Sequence, residues 1–273
     1  MLRNRILTAL VLAPLVIAGV LLAPNDGLAA AFGAVVLLGA REMGRLGGLQ
    51  SLPAQWVYAG CVGLLMAAAL FMLAPGAAAM LEFAAGLFWV LISLWLLSRR
   101  GALLPVEGVR PGILLLGALQ LTAVWLSAVM LHASGPNGPI LLLFVLLLIW
   151  TADSAAYFAG RAFGRHKLSP TVSPGKTWEG AAGGILGACV AGLLLWYSVL
   201  PSYPPASLVL LCIVTAFVSI GGDLWESLLK RQAGLKDSGA LLPGHGGVLD
   251  RVDSLIAAIP VFSLGLTFVG NGQ

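Results

Sequence analysis

Charged residues are scarce in this sequence, and so is any sign of a disulfide framework. Only 10% of the 273 residues are charged, whereas 59% are hydrophobic. A soluble globular chain has about 25% charged residues, so this composition excludes a soluble domain, a disordered chain and a coiled coil. The three cysteines lie inside apolar runs as small hydrophobic residues, and no Cys/His spacing typical of a metal site occurs. What remains is an integral membrane protein.

Long apolar windows predict an all-α, polytopic membrane protein with about nine transmembrane helices. A bilayer core of about 30 Å needs about 20 helical residues per crossing. The first window lacks a convincing cleavage site, so we expect an uncleaved helix. The second window is short and is expected to continue toward Arg45. The windows lie at 6–23, 28–40, 56–73, 80–97, 111–131, 139–160, 178–200, 206–224 and 252–270.

The basic residues predict how the helices are oriented. With a cytoplasmic N-terminus, connections 24–27, 74–79, 132–138 and 201–205 contain no Lys or Arg, and all 15 basic residues fall on the other side. The positive-inside rule assigns that side to the cytoplasm and predicts an N-in, C-out topology. We therefore interpret the net charge of +4 as an orientation signal and an attraction to anionic lipid, not as a nucleic-acid footprint.

Polar residues are concentrated in the C-terminal half. Residues 1–149 contain 7 basic and 4 acidic residues, whereas the shorter stretch 150–253 contains 8 and 7. We therefore interpret residues 1–149 as transmembrane scaffold and 150–273 as the catalytic region. Within window 178–200, Gly183, Gly184 and Gly187 are expected to permit close helix approach.

Two polar segments begin the catalytic region. Asp153 lies near the cytoplasmic end of an apolar run, where an ionised residue is costly and is normally paired or faces a polar cavity. Segment 164–180 combines basic residues with Ser, Thr and Gly and begins a helix at about Thr177, which favours phosphate binding at the helix N-terminus. The alternatives are a structural ion pair for Asp153 and, for the segment, charge that only sets orientation.

The densest polar cluster lies at 221–253. Asp223, Glu226 and Lys230 are spaced i, i+3 and i+7, so they share one helix face, and Asp250 and Asp253 repeat the i, i+3 spacing. Carboxylates that converge at a membrane surface suit a hard divalent cation, such as Mg²⁺, that also binds substrate phosphates.

Glycines in the same cluster, in the run His245-Gly246-Gly247, would let the backbone approach a ligand closely. The alternative for the cluster is a set of interfacial ion pairs, Glu226 with Lys230 and Asp250 with Arg251. Ion pairs alone leave the glycines unexplained.

The polar pattern of residues 227–253 resembles the diagnostic segment of the phosphatidate cytidylyltransferases, also called CDP-diacylglycerol synthases. It is S-x2-K-R-x4-K-D-x-G-x2-L-P-x-H-G-G-V-x-D-R-V-D. Segment 153–180 resembles the same family, whereas 1–149 match only as generic membrane helices. The resemblance implies a Mg²⁺-dependent reaction of CTP with phosphatidate that yields CDP-diacylglycerol and pyrophosphate, in phospholipid biosynthesis at the cytoplasmic face of a bacterial inner membrane.

The resemblance also implies roles for particular residues. It places metal ligands at Asp223, Asp250 and Asp253, and it implies a second, monovalent cation. A homodimer is left open, and no nucleic-acid partner is expected. Catalytic roles are expected for Asp223, Lys230, Arg231, Lys236, Asp237, His245, Asp250, Arg251 and Asp253. Substrate contacts are expected for Asp153, Ser173, Lys176, Thr177, Glu179, Ser227, Gly246 and Gly247.

Two other functions stay open at this point. A CTP-using transferase or kinase that acts on another membrane lipid would need similar residues. A transporter of phosphorylated metabolites would line several spans near the midplane with polar residues, whereas the polar residues here gather at one surface.

Overall fold

The protein is a bundle of membrane helices with one small β-hairpin. A computed structural model describes residues 13–99, 105–241 and 246–270. Helices α2 to α9 are long and apolar enough to cross a membrane, and α1 is shorter in the described range, which begins within predicted window 6–23. The prediction of an all-α polytopic membrane protein is confirmed. The helices are α1 (Ala13–Leu22), α2 (Asn25–Leu46), α3 (Leu52–Met72), α4 (Pro75–Ser98), α5 (Pro111–His132), α6 (Gly138–Phe163), α7 (Trp178–Ser198), α8 (Pro205–Gln232) and α9 (Leu249–Gly270).

Local signals explain where several helices begin. Five of them have proline in their first turn, where its missing N–H is not needed and its fixed φ favours the helix. The hydroxyl of Ser51 accepts a hydrogen bond from Ala54 N and so caps α3. Helix α2 continues to Leu46, as expected from the short window 28–40. Helix α8 continues to Gln232 because Leu228 and Leu229, beyond the predicted end, are buried in the bundle.

The helix ends meet in two groups. At one end, which we call the site end, the Arg110 guanidinium donates to Gln232 Oε1 at 2.9 Å and to the carbonyl of Leu46, and Arg110 N donates to Gly47 O. This joins the ends of α2 and α8 to the start of α5. Partial burial lowers the pKa of the Arg110 guanidinium from its usual value.

The opposite end is held by a buried histidine. His132 Nδ1 and Nε2 each lie 3.0 Å from an oxygen, Asn25 Oδ1 and Val20 O, which joins α5 to the α1–α2 connection. The alternation of helix ends agrees with the predicted order of spans. Which end faces the cytoplasm stays a prediction.

A β-hairpin, absent from the sequence-based expectation, occupies the site end. Strands β1 (Lys167–Ser169) and β2 (Ser173–Thr177) are antiparallel, with Lys167 opposite Thr177. Buried Leu168 and Val172 attach the hairpin to α4 and α8 through Leu96, Leu224 and Leu228. Two such short strands separated by a turn have too few residues to show a clear alternating pattern.

Small residues bring neighbouring helices together. A Cβ at Gly183 would collide with the Ala159 side chain, and one at Gly184 or Gly187 would lie within 3.2 Å of α6 atoms, so the predicted close approach is confirmed. Gly222 of α8 packs in the same way against the backbone of Asp253 in α9. One hydrophobic core then extends through α1 to α9, from Val20 to Phe262.

Candidate functional site

A row of acidic and basic side chains crosses the site end of the bundle. Its members come from the C-terminal halves of α6 and α8, from β2 and from the start of α9. We call it the acidic row because five of its seven side chains are carboxylates and the other two are lysines. The acidic row comprises Asp153, Lys176, Asp223, Glu226, Lys230, Asp250 and Asp253.

The first half of the acidic row is centred on Lys176. Its Nζ lies 2.5 Å from Asp223 Oδ2, and about a quarter to a third of each side chain is exposed. The charge of Lys176 also acts on Asp153 and on Asp253, and so does the charge of Asp223. The hairpin therefore places one cation among three carboxylates from three different helices.

The second half of the acidic row is centred on Lys230 and is more deeply buried. Lys230 Nζ lies 2.8 Å from Glu226 Oε2 and 2.6 Å from Asp250 Oδ1, and the two carboxylate side chains are only 3% and 7% exposed. The ion pair of Glu226 with Lys230, which the sequence left as an alternative, is present. Asp250 pairs with Lys230 across the α8–α9 contact.

The other oxygen of Asp250 is held by the loop before α9. Asp250 Oδ2 accepts from Gly247 N at 2.8 Å and lies 3.0 Å from both Ser238 N and Ser238 Oγ. Gly246 has a φ of +83°, a left-handed conformation that glycine adopts without strain. Both oxygens of Asp250 are therefore engaged by groups of the same chain.

A cavity of about 390 Å³ opens beside Lys176, with Asp153 and Asp223 in its wall. It adjoins an apolar crevice of about 320 Å³. The two share Leu168, Ala181 and Ile220, so the cavity with charged side chains in its wall, which we call the polar cavity, has a common wall with the apolar crevice.

Comparison with known proteins identifies the family. The sequence profile of the cytidylyltransferase family matches residues 3–269. The chain belongs to the cytidylyltransferase family. It is 43% identical over 273 residues to a protein of Pseudomonas aeruginosa named phosphatidate cytidylyltransferase, covering 100% of this chain and 99% of the relative.

Two other relatives of the same name match parts of the chain. A Haemophilus influenzae protein is 49% identical over 137 residues, which is 49% of this chain and 48% of the relative. A Brucella suis protein is 41% identical over 199 residues, which is 66% of this chain and 72% of the relative.

The donor set of this family member can be compared with the needs of Mg²⁺. Within the described ranges, no group of three or more His, Cys, Asp or Glu residues is arranged to hold a metal by itself. Asp250 is engaged on both oxygens by Lys230, Ser238 and Gly247. Asp223 also has a partner on each oxygen, Lys176 and Ser227, but it lies in the wall of the cavity, and Asp253 is close to it across the α8–α9 contact. Mg²⁺ is usually bound by one or two carboxylates together with substrate phosphates, so Asp223 and Asp253 fit this role. The metal assignment, including Asp250, stays a prediction.

Several residues expected to bind substrate make local contacts. Thr177 Oγ1 accepts from Gly180 N at 3.1 Å and caps α7, and Glu179 Oε1 lies 2.6 Å from His166 Nδ1. Ser227 Oγ donates to Asp223 Oδ1 at 3.2 Å. Ser173 begins β2, opposite Ser169. Substrate contacts of these residues stay predictions.

The other predicted residues lie at or near the surface of the site end. Arg231, Lys236, Asp237 and Arg251 are exposed there. Gly246 and Gly247 lie in the loop before α9, and His245 lies outside the described residues.

Two buried residues at the acidic row were not predicted. Glu42 of α2 and Ser238 of the loop after α8 contact each other, with Ser238 Oγ 2.9 Å from Glu42 Oε2. In the sequence, Glu42 follows Arg41 and is indistinguishable from an interfacial charge. A contact across 196 residues leaves no local signal that could have revealed it.

Proposed function

We propose that the chain catalyses the transfer of a cytidylyl group from CTP to phosphatidate, producing CDP-diacylglycerol and pyrophosphate. The single structural observation that carries this proposal is the common wall between the polar cavity and the apolar crevice. The full-length similarity to a relative named phosphatidate cytidylyltransferase supports the same reaction.

The two cavities suit a substrate with one charged and one apolar part. The polar cavity presents Lys176, whose ammonium group can contact a phosphate. The crevice is lined by apolar side chains, including Leu97, Ile185 and Phe217. A phospholipid has both parts in one molecule, because its headgroup is an anion and its acyl chains are hydrocarbon. A soluble phosphorylated metabolite has no apolar part that could occupy the crevice.

The charge of the acidic row favours a bound divalent cation. Five carboxylates and two lysines carry a formal charge of −3, which would repel a nucleotide triphosphate and an anionic lipid. We propose that Asp223 and Asp253 hold Mg²⁺ together with the phosphates of CTP. When bound, Mg²⁺ would neutralise charge on the triphosphate. The second, monovalent cation implied by the resemblance stays a prediction.

The reaction needs positioning and charge neutralisation more than proton transfer. An oxygen of the phosphatidate phosphate forms a bond to the α-phosphorus of CTP, and the bond between that phosphorus and the bridging oxygen breaks. Pyrophosphate leaves with the electron pair. The attacking oxygen is already an anion, so no strong general base is required. Lys176, in the wall of the cavity, is positioned to stabilise phosphate oxygens, and we propose the same role for Lys230. The carboxylates beside them fix the orientation of both lysines.

We place the site at the cytoplasmic face of a bacterial inner membrane. The site end carries the basic residues of the described connections, which the positive-inside rule assigns to the cytoplasm. CTP is a cytoplasmic metabolite, so the orientation and the substrate agree.

An assay with purified full-length protein tests the function. Mixed micelles of detergent and phosphatidate, supplied with CTP and Mg²⁺, should yield CDP-diacylglycerol and one pyrophosphate per lipid. Replacing CTP by ATP should abolish product, whereas dCTP should be accepted. Other phospholipids in the same micelles report the choice of lipid.

The products separate the alternatives. A phosphorylated lipid together with CDP or ADP would identify a lipid kinase instead. CDP-linked product from another lipid, in preference to phosphatidate, would identify a different transferase. Absence of any lipid product, together with uptake of a phosphorylated metabolite into vesicles, would identify a transporter.

A further inference from the structure

Glu42 is a buried carboxylate on a helix that the sequence assigned to the scaffold. It lies in α2, near the site end, and only 2% of the residue is exposed. None of the salt bridges among the described residues involves it. Its partners are hydrogen-bond donors, and they come from the segment that carries Asp250.

Two of these donors bind the same oxygen of Glu42. Glu42 Oε2 accepts from Leu249 N at 2.8 Å and from Ser238 Oγ at 2.9 Å. Leu249 is the first residue of α9, so Glu42 satisfies a free N–H at the helix start. A carboxylate at this position also interacts favourably with the helix dipole.

Two glycines provide the space that Glu42 occupies. A Cβ at Gly239 would collide with the Glu42 carboxylate, and a Cβ at Gly247 would collide with Glu42 and with Ser238. The close approach at Gly247 is therefore to a side chain of the same protein. Both glycines lie within the polar pattern of residues 227–253, so Glu42 gives them a physical reason.

Ser238 connects Glu42 to the acidic row. Its hydroxyl lies 2.9 Å from Glu42 Oε2 and 3.0 Å from Asp250 Oδ2. The hydroxyl has one proton and can donate it to one carboxylate at a time, so each carboxylate influences the bond to the other. Asp250 in turn holds Lys230 at 2.6 Å.

We propose that Glu42 is a positioning residue for this reaction. It acts through Ser238 and the start of α9 to orient Asp250, and through Asp250 it orients Lys230. The inference rests on the proposed function, because its effect is measured on CDP-diacylglycerol formation. Residues that orient the groups in contact with substrate typically change activity by about 10–100-fold when removed.

The test compares two buried glutamates. Glu82 of α4 is 4% exposed and lies 3.1 Å from the Ser263 hydroxyl, but its partners are remote from the acidic row. Glu42→Gln and Glu82→Gln therefore make the same substitution at two buried positions, of which only the first is connected to the acidic row. For each purified variant, turnover, the KM for CTP and for phosphatidate, and the melting temperature in detergent are measured.

We expect Glu42→Gln to lower kcat by about 10–100-fold, with each KM changed by less than about threefold, because the ground-state contacts of the substrates remain. Glu82→Gln should keep kcat within about threefold of the wild type, whatever its melting temperature. Equal losses of activity in the two variants, in step with melting temperature, would show a purely structural role. Near-normal turnover in Glu42→Gln would also overturn the proposal.

A double-mutant cycle tests the connection through Ser238. The effects of Ser238→Ala and Glu42→Gln on kcat should be non-additive, so that the double variant is about as active as the less active of the two single variants. Additive losses would mean that Glu42 does not act through Ser238. If Glu42→Gln fails to fold, Ser238→Ala decides alone, since unchanged kcat in that variant overturns the proposal and a loss of kcat at unchanged KM supports it.

One measurement is independent of the reaction. Hydrogen exchange at residues 246–250 should be faster in Glu42→Gln than in Glu82→Gln, because the Leu249 amide loses its carboxylate acceptor. If the wild type makes no CDP-diacylglycerol, the proposed function fails. Unchanged exchange would count against the position of Glu42 itself.

Discussion

Lys176 and Lys230 both pair with carboxylates, but they are buried to different degrees. The side chain of Lys176 is 27% exposed, whereas that of Lys230 is 13% exposed and lies between two carboxylates that are almost fully buried. The same substitution should therefore lower the stability of the protein much more at Lys230 than at Lys176.

We expect Lys230→Met to destabilise the protein and Lys176→Met to leave it nearly as stable as the wild type. Removing one partner of a buried ion pair costs about 3–5 kcal/mol, because an uncompensated charge is left inside the protein. An exposed pair contributes only about 0–1 kcal/mol. Melting temperature in detergent reports stability, and turnover of the remaining folded protein reports function. A folded but inactive Lys176→Met fits the proposed site, whereas an active one would not.

Substitutions of the carboxylates of the acidic row should likewise differ in how much turnover they remove. Asn at position 223 or 253 preserves volume but removes the charge expected to bind Mg²⁺, so Asp223→Asn and Asp253→Asn should each lower turnover by about 10²–10³-fold. Asp250→Asn should lose turnover as well, through the orientation of Lys230 or as a metal ligand. Glu226→Gln should be milder if this residue chiefly pairs with Lys230.

Magnesium titrations show whether a variant loses turnover because it has lost a metal ligand or because Lys230 is no longer oriented. If Asp223 and Asp253 bind the metal, their variants should need more Mg²⁺ for half-maximal rate. Asp250→Asn should need more Mg²⁺ as well if Asp250 is a ligand, and should have a normal requirement if it only orients Lys230. A normal Mg²⁺ requirement in both Asp223→Asn and Asp253→Asn would contradict the metal assignment. Near-wild-type turnover in Asp250→Asn would contradict its role at the site.

At the scale of elements, the hairpin β1–β2 determines where Lys176 lies. Leu168 is 5% exposed, Val172 is fully buried, and both pack on α4 and α8. We expect Leu168→Ala with Val172→Ala to reduce activity about as much as loss of Lys176, because the strand that carries the lysine loses its attachment. Large-to-small changes in a core cost about 1–5 kcal/mol each, but here the cost falls on a two-stranded unit and not on the helix bundle.

Lipid-facing Leu186 of α7, which is 67% exposed, offers a matched control. Leu186→Ala should leave both activity and hydrogen exchange at residues 167–177 unchanged. The double variant should accelerate exchange in that segment while the melting temperature of the bundle changes little. Full activity in the double variant would mean that Lys176 is not positioned by the hairpin.

Elements with a strong local signal were predicted from the sequence, and elements that depend on distant contacts were not. The apolar windows identified α2 to α9, and the glycines of α7 were correctly assigned to close packing against α6. The windows ended too early at α8, where polar and apolar residues alternate and the buried ones continue the helix to Gln232. The hairpin was missed because its buried residues are only Leu168 and Val172, separated by a turn.

In the site, too, contacts within one helix could be predicted from the sequence, and contacts between elements could not. Helical spacing correctly placed Asp223, Glu226 and Lys230 on one face, and the observed Glu226–Lys230 pair follows from it. The pairing of Lys176 with Asp223 and that of Lys230 with Asp250 join different elements, so no spacing could specify them.

At the scale of the whole molecule, the positions of the basic residues predict the orientation in the membrane. A single cysteine placed in 24–27 or 201–205, in a variant without the three native cysteines, should react with an impermeant reagent added from the periplasm. A cysteine in 164–176 should not, because that segment belongs to the site end. Periplasmic labelling of 164–176 would contradict both the orientation and the cytoplasmic position of the site.

The contact of Glu42 with Ser238 also has a consequence for how the protein is made. The two residues are separated by 196 positions, and at about 5–20 residues per second a ribosome needs roughly 10–40 s to synthesise the chain between them. During that interval the nascent chain carries an acidic residue on α2 without the partners that α9 and its preceding loop will supply. A catalytically competent arrangement can therefore arise only when synthesis is nearly complete, and chains that stall earlier would be inserted in the membrane but inert.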